Sequence, residues 1–223
     1  MNILKDILSY WRSDDLISIA WKDSYEMLNL SKEMFVQAVK LLREKNNLRL
    51  AKALKKRDIQ INDYHQTVRK KIMTYYVLHP EAANINNGFI LANIVNDIER
   101  LGDYAKNILD IAIDYPDFIV GEKLPKDLAN IEKITVKSFE KTLEAIHAQD
   151  TEVAQTLLED YKENQDLSEI IIRKIIQEEI EFDSQKQAVA VALYSRYLKR
   201  IRAHLKNITT ILINPFDTIG YEE

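Results

Sequence analysis

Two pairs of polar side chains stand four residues apart in segments that read as helix. Glu99 and Asp103 lie in "NDIERLGDYAKNI" (Asn96–Ile108), and Asp58 and Asn62 lie in "RDIQIND". Residues four apart on a helix share a face, ~6 Å from one another. If the two segments are neighbouring antiparallel helices, the pairs face each other across one seam. Two uncompensated carboxylates ~5 Å apart, at an effective dielectric of ~20, repel by about 3 kcal/mol. A bound cation removes that penalty. Carboxylates with an amide oxygen suit Fe, Zn, Mn, Mg or Ca. The chemistry expected is therefore capture of a divalent or trivalent metal by Asp58, Asn62, Glu99 and Asp103, with Asp97 close by. Gly102 sits among these acids and costs a helix interior ~1 kcal/mol relative to alanine. Without a side chain it lets another helix, or a metal cluster, come close. Arg100 is an alternative neutraliser. A solvated helix face shows the same charge spacing, but Ile94, Val95, Ile98, Leu101 and Ile108 surround the acids with apolar groups.

Other chemistry finds less support. Cysteine is absent, which removes disulfides, thiolate zinc sites and cysteine nucleophiles. There is no G-x-x-x-x-G-K-[ST] loop to cradle a nucleotide. "EAIH" (Glu144–His147) has E-x-x-H spacing, but a di-iron bundle needs a second such motif and two more glutamates. His65, His79 and His204 have no ligand spacing and read as surface groups or ordinary hydrogen-bond partners. No general base or nucleophile accompanies the acids, so an enzyme is not expected; a metal-dependent helical-bundle enzyme is the alternative of a different class. "KALKKR" (52–57) and "RYLKRIRAHLK" (196–206) are basic. In the second, Arg196, Lys199, Arg200 and Arg202 form a candidate surface for an acidic or phosphorylated partner. The net charge of −4 gives no global footprint for nucleic acid, and none is expected as a partner.

These side chains need long helices to place them, and the composition supplies them. Only 4 glycines and 4 prolines occur in 223 residues, while 46% of residues are hydrophobic and 30% charged. Apolar spacing predicts helices over Asp14–Glu44, Leu48–Leu78, Glu81–Ile113, Lys126–Ala148, Thr151–Glu181 and Ser184–Ile213. "EKNN" at 44–47 interrupts the first two. "DYPDFIVGEKLPKD" (Asp114–Asp127) holds two prolines and a glycine and is the best boundary. The N-terminal "ILKDILSYW" reads as a short amphipathic helix that docks on the bundle or on a partner, and the tail after Pro215 reads as loose. No apolar run approaches the ~18 residues that span a bilayer. The expected location is the cytoplasm, including the periphery of the inner face of the membrane.

Three helices, a linker and three more helices suggest duplication. "DIERLGDYAKNI" aligns with "YLKRIRAHLKNI", and "MFVQAVKLL" (34–42) aligns with "SFEKTLEAI" (138–146). The expected fold is all-α: two tandem antiparallel three-helix bundles related by internal duplication, with repeats over 1–118 and 119–223. The second repeat departs at the acids. Lys199, Arg202 and Ala203 stand where the first has Glu99, Gly102 and Asp103. Asp160 and Asn164 are candidates for its second-helix pair, although the register also permits Tyr161 and Gln165. A metal there is not expected, and this repeat is expected to serve mainly as a partner or structural surface; the competing reading has Lys199 fill the vacant site as a tethered cation, paired with Asp160 or Asp166.

"NDIERLGDYAKNI" resembles the signature helix of the PhoU family, close to D-x-E-R-[IL]-G-D-x-A-x-N-I. "LHPEAANINNGFILANIVND" and "RDIQIND" resemble that family's neighbouring segments more weakly, with Asn86 and Asn87 where a Leu-Arg pair is common. The resemblance covers nearly the whole chain. It implies a cytoplasmic regulator of phosphate uptake and phosphate signalling that binds multinuclear iron or zinc through paired E(D)xxxD motifs. The implied partners are a phosphate transporter component or a phosphate-sensing kinase at the membrane, with homodimerisation as a further expectation. A narrower alternative is an accessory protein of a low-affinity phosphate permease.

Overall fold

A computed structural model describes residues 15–43, 47–81, 85–115, 126–148 and 150–214. The N-terminal "ILKDILSYW", most of the Asp114–Asp127 boundary and the tail after Pro215 lie outside them. Every element among the described residues is an α-helix: α1 (Leu16–Arg43), α2 (Leu48–Lys55), α3 (Asp58–Leu78), α4 (Ile85–Asp114), α5 (Lys126–Ala148), α6 (Thr151–Glu163), α7 (Leu167–Ile176) and α8 (Gln185–Thr210). The helices α1, α2/α3 and α4 form one three-helix bundle, and α5, α6/α7 and α8 form the other.

Short polar side chains start the helices. Asp15 accepts from the Ser18 backbone N–H at 2.8 Å ahead of α1. Asp150 accepts from Glu152 N at 2.9 Å and Val153 N at 3.0 Å ahead of α6. Ser184 does the same for Gln187 N ahead of α8. The two bundles share one core. Helix α4 packs on α1, α3 and α8, so its apolar residues exceed a single stripe: Leu91, Val95, Ile98, Leu101 and Ile108 are all buried. Phe35 of α1 and Phe139 of α5 stack across the repeats with ring centroids 5.3 Å apart.

The structure departs from the expected six helices at the second helix of each repeat. The Leu48–Leu78 segment is broken at Lys56 and Arg57. Both donate backwards three residues, to Ala53 and Leu54, which tightens the chain before α3 begins. Arg57 then reaches Glu33 at 2.8 Å. In the second repeat, Asn164–Asp166 separate α6 from α7. Asn164 Nδ2 donates to the Asp160 carbonyl at 2.9 Å, which competes with helix continuation. Helix α7 ends at Ile176 rather than at Glu181. Glu178 takes φ 58°, and Glu179 N donates to the Lys174 carbonyl at 2.8 Å. That is the left-handed helix stop glycine usually makes, here made without one. No glycine or proline stands at these breaks, so propensity gave no sign of them.

Candidate functional site

The seam between α3 and α4 gathers most of the expected acids. Asp58 opens α3, and Glu99 and Asp103 lie on α4. The cation among them is a residue of the chain. Lys106 donates to Asp58 Oδ2 and to Asp103 Oδ1, both at 2.8 Å. Asn62 donates to Asp58 Oδ2 at 3.3 Å. Arg100 lies 3.3 Å from Asp103 and 3.7 Å from Glu99. Burial alone would lower the Lys106 ammonium pKa, but its hydrogen bonds to Asp103 and Asp58 outweigh this and raise it. Glu99 is shifted the other way from a salt-bridged acid. Its pKa is raised, first by burial and then by the Asp103 charge, with a smaller contribution from Asp58; Arg100 and His65 oppose this.

Asp97 does not belong to this cluster. It faces α8, where His204 Nδ1 donates to its carboxylate at 2.7 Å, with Asn207 Nδ2 at 3.5 Å. One helical residue at position i−2 of Glu99 must point elsewhere, because only i+3 and i+4 share a face. His204 is accordingly buried, not a surface group, and its ring stacks on Tyr104 at 5.8 Å. Of the other histidines, His65 donates to Asn96 Oδ1 at 2.8 Å and His79 lies 3.5 Å from Glu81.

Gly102 has a direct structural reason. A Cβ there would stand 2.5 Å from Ile61 Cδ1 of α3. The glycine lets α3 approach α4, and it is this approach that brings Asp58 beside Asp103.

The donor set has the chemistry of a hard-cation site: three carboxylates and an amide oxygen. Two of its carboxylates, Asp58 and Asp103, close on Lys106. Among the described residues, no group of three or more His, Asp or Glu side chains is drawn together at metal-binding spacing. Sequence reasoning missed Lys106, although its i+3 offset from Asp103 was visible.

In the second repeat the pocket facing the same part of α8 is lined by Tyr161 and Gln165, the other register of those weighed from the sequence, together with Lys199, Arg202 and Lys206. Asp160 turns away towards Lys141 at 3.6 Å. Lys199 pairs with Glu169 of α7, not with Asp160 or Asp166, and draws the Glu169 pKa down. The four basic residues of α8 do not make one surface. Arg196 is exposed, Lys199 half-buried and Arg202 buried, while Arg200 donates to Tyr104 Oη at 3.2 Å across the repeats.

A second buried polar group, unforeseen in the sequence, ties the repeats. Glu132 of α5 pairs with Arg43 of α1 and accepts from Tyr194 Oη of α8 at 2.7 Å.

Comparison of the sequence with curated proteins finds no significant match. The fold is similar to the crystal structure of the phosphate transport system regulatory protein PhoU from Streptococcus pneumoniae. The TM-score is 0.75 at 15% identity, over 88% of this chain and 93% of that one. It is also similar to PhoU from Pseudomonas aeruginosa, with a TM-score of 0.66 at 20% identity over 95% of each chain. The PhoU domain matches twice, over residues 25–112 and 128–212. These two matches take in most of both bundles, including the α3–α4 seam and the α8 pocket, and on that ground the chain belongs to the PhoU family.

Proposed function

We propose that the protein is a regulatory adaptor of phosphate uptake and phosphate signalling, without catalytic turnover of its own. The observation that carries the reading is the double PhoU-domain match laid over a bundle whose signature helix, α4, keeps Glu99, Gly102 and Asp103 together. The absence of a nucleophile–base pair beside the acids favours binding over chemistry. No described helix is long and apolar enough to cross a membrane. The adaptor acts from the cytoplasm on a transporter component or a phosphate-sensing kinase at the membrane face. Deletion of the gene is expected to change phosphate uptake or phosphate-controlled expression, and complementation to restore it. Unchanged uptake and expression would remove the adaptor reading.

The acids of the first repeat supply a cation site in this proposal. Asp58, Glu99, Asp103 and the Asn62 oxygen are the donors, and a metal there competes with the Lys106 ammonium for Asp58 and Asp103. The raised Glu99 pKa supports it, since a carboxylate burdened by burial and a like charge gains most from a bound cation. At ~100 times its Kd a metal stabilises the fold by about 2.7 kcal/mol. Chelation is thus expected to lower the wild-type melting temperature and to leave Glu99→Gln nearly unmoved. In chelator alone, Glu99→Gln should melt no lower than wild type, because the replaced carboxylate is the strained partner. Equal melting of wild type with iron, zinc or manganese and with chelator would leave Lys106 as the cation of this site.

A further inference from the structure

The pocket at the α6–α7 corner has a volume of about 200 Å³, against ~30 Å³ for one water in the liquid. Its wall on α8 carries Lys199, Arg202 and Lys206, and across from them lie Tyr161, Gln165 and one acid, Asp166. Arg202 is the unusual member. It is only 5% exposed, yet among the described residues no carboxylate hydrogen-bonds to it, and Asp160 acts on it only through its charge. Its Nη1 donates to the Asn164 carbonyl at 2.7 Å, at the C-terminal end of α6 where a cation is favoured. Its Cζ lies 5.9 Å from the centre of the Tyr161 ring. Its Nε N–H is buried with no acceptor among the described residues. A buried guanidinium donor without an acceptor calls for a missing partner, a bound water or an ion. Burial accordingly holds the Arg202 pKa below its ordinary value, and the nearby Tyr161 and Asp160 only partly oppose it.

The duplicated geometry sharpens the point. In the first repeat Lys106 is held by Asp58 and Asp103. Lys206 occupies the matching place in the second repeat, but Glu99 and Asp103 of the first repeat give way to Lys199 and Ala203 in the second, and Arg202 adds a cation where Gly102 stands.

We propose that this pocket binds a free tetrahedral oxyanion of the inorganic phosphate class, held by Arg202 with Lys199 and Lys206. The edge of the guanidinium that carries Nε presents parallel N–H donors at the spacing of two oxygens of such an anion, and the flanking ammoniums supply the charge. The small volume favours the free anion over a phosphorylated chain. Glu169 is the internal competitor: it occupies Lys199 at the mouth and yields it when the anion enters. The pocket carries this inference independently of the adaptor reading. Uptake can respond to deletion whether or not the chain binds the anion, so the two fail separately.

The test is calorimetric titration of the full chain with inorganic phosphate at fixed ionic strength, with O-phosphoserine as a second arm. Saturable binding of phosphate is expected. Lys199→Glu should weaken it by roughly tenfold or more, as loss of a charge-assisted contact does. Lys199→Arg should retain it. Arg202→Gln should abolish it, and Lys199 variants keep the proposal testable if the Arg202 variant does not fold. Lys133→Glu, which makes the same charge change at an exposed site on α5, should leave it intact. No saturable heat at millimolar phosphate overturns the proposal. So does equal weakening by Lys133→Glu, which would make the effect one of net charge. Tighter binding of O-phosphoserine than of phosphate overturns the free-anion assignment in favour of a phosphorylated chain.

Discussion

Replacing Glu132 by alanine is expected to destabilise the protein by about 3 kcal/mol, measured by denaturant unfolding at neutral pH. Glu132 is 7% exposed and serves two partners on two other helices. Those partners lose unequally. The Arg43 side chain is 45% exposed and returns to water at little cost. Tyr194 is fully buried, and its hydroxyl is left with no acceptor, which costs ~1–3 kcal/mol. The emptied volume adds a cavity term. Glu132→Gln keeps an acceptor for Tyr194 and should cost less than half as much. Tyr194→Phe leaves Glu132 with Arg43 and should also cost less than the alanine variant. An alanine variant as stable as wild type would mean that the desolvation of Glu132 already cancels its hydrogen bonds.

The same network sets an alkaline limit. Burial, and then the Glu132 carboxylate, raise the Tyr194 pKa well above its ordinary value. A raised acid is protonated in the fold and ionises first in the unfolded chain. Its stabilising contribution is complete below pH ~10, the unfolded value, and declines as pH rises beyond it. Tyr161, pushed up to about 12 by burial, acts in the same direction. Tyr194→Phe should therefore flatten the fall in stability above pH ~10.

The helices were legible because their apolar residues recur at helical spacing. The duplication was legible because "KNI" occurs at 106–108 and again at 206–208. The splits at Lys56–Arg57 and at Asn164–Asp166 were not. They depend on three-residue backward bonds at the first split and, at the second, on a backbone carbonyl, that of Asn164, which Arg202 meets only in the folded state. At the site, Asp58, Asn62, Glu99 and Asp103 could be placed on one seam by i,i+4 arithmetic alone. That arithmetic also argued against Asp97, which the motif nonetheless drew in. The contact that claims Asp97 is His204, 107 residues away, and no local pattern encodes it. Glu132 was equally hidden. On an amphipathic helix it reads as one more solvated charge, until Tyr194 and Arg43 arrive from distant helices to enclose it.

Gly102→Val is expected to cost about 3 kcal/mol, and Gly102→Ala about 1 kcal/mol, although both remove a glycine from a helix interior. An exposed glycine in α4 would show the opposite sign for alanine, a gain of ~1 kcal/mol. The difference lies in Ile61. Its Cδ1 would be 2.5 Å and its Cγ2 3.2 Å from the new Cβ, and Ile61 is itself fully buried, so its side chain has little space to yield. Alanine can be met by moving the tip of that side chain. Valine adds two methyl groups and forces α3 from α4. Asp58 lies one turn from Ile61 on α3, so the same displacement pulls Asp58 from Lys106 and loosens the acid cluster. The partner of the clash is named by a double change. Ile61→Val deletes Cδ1 and alone costs ~0.5–1.5 kcal/mol. Combined with Gly102→Ala it should cost about 1 kcal/mol less than the sum of the two single changes, a coupling typical of residues in contact. Additive losses would place the obstruction elsewhere. A stabilising Gly102→Ala would show that the seam has room for a side chain, and that helix approach is not the reason for the glycine.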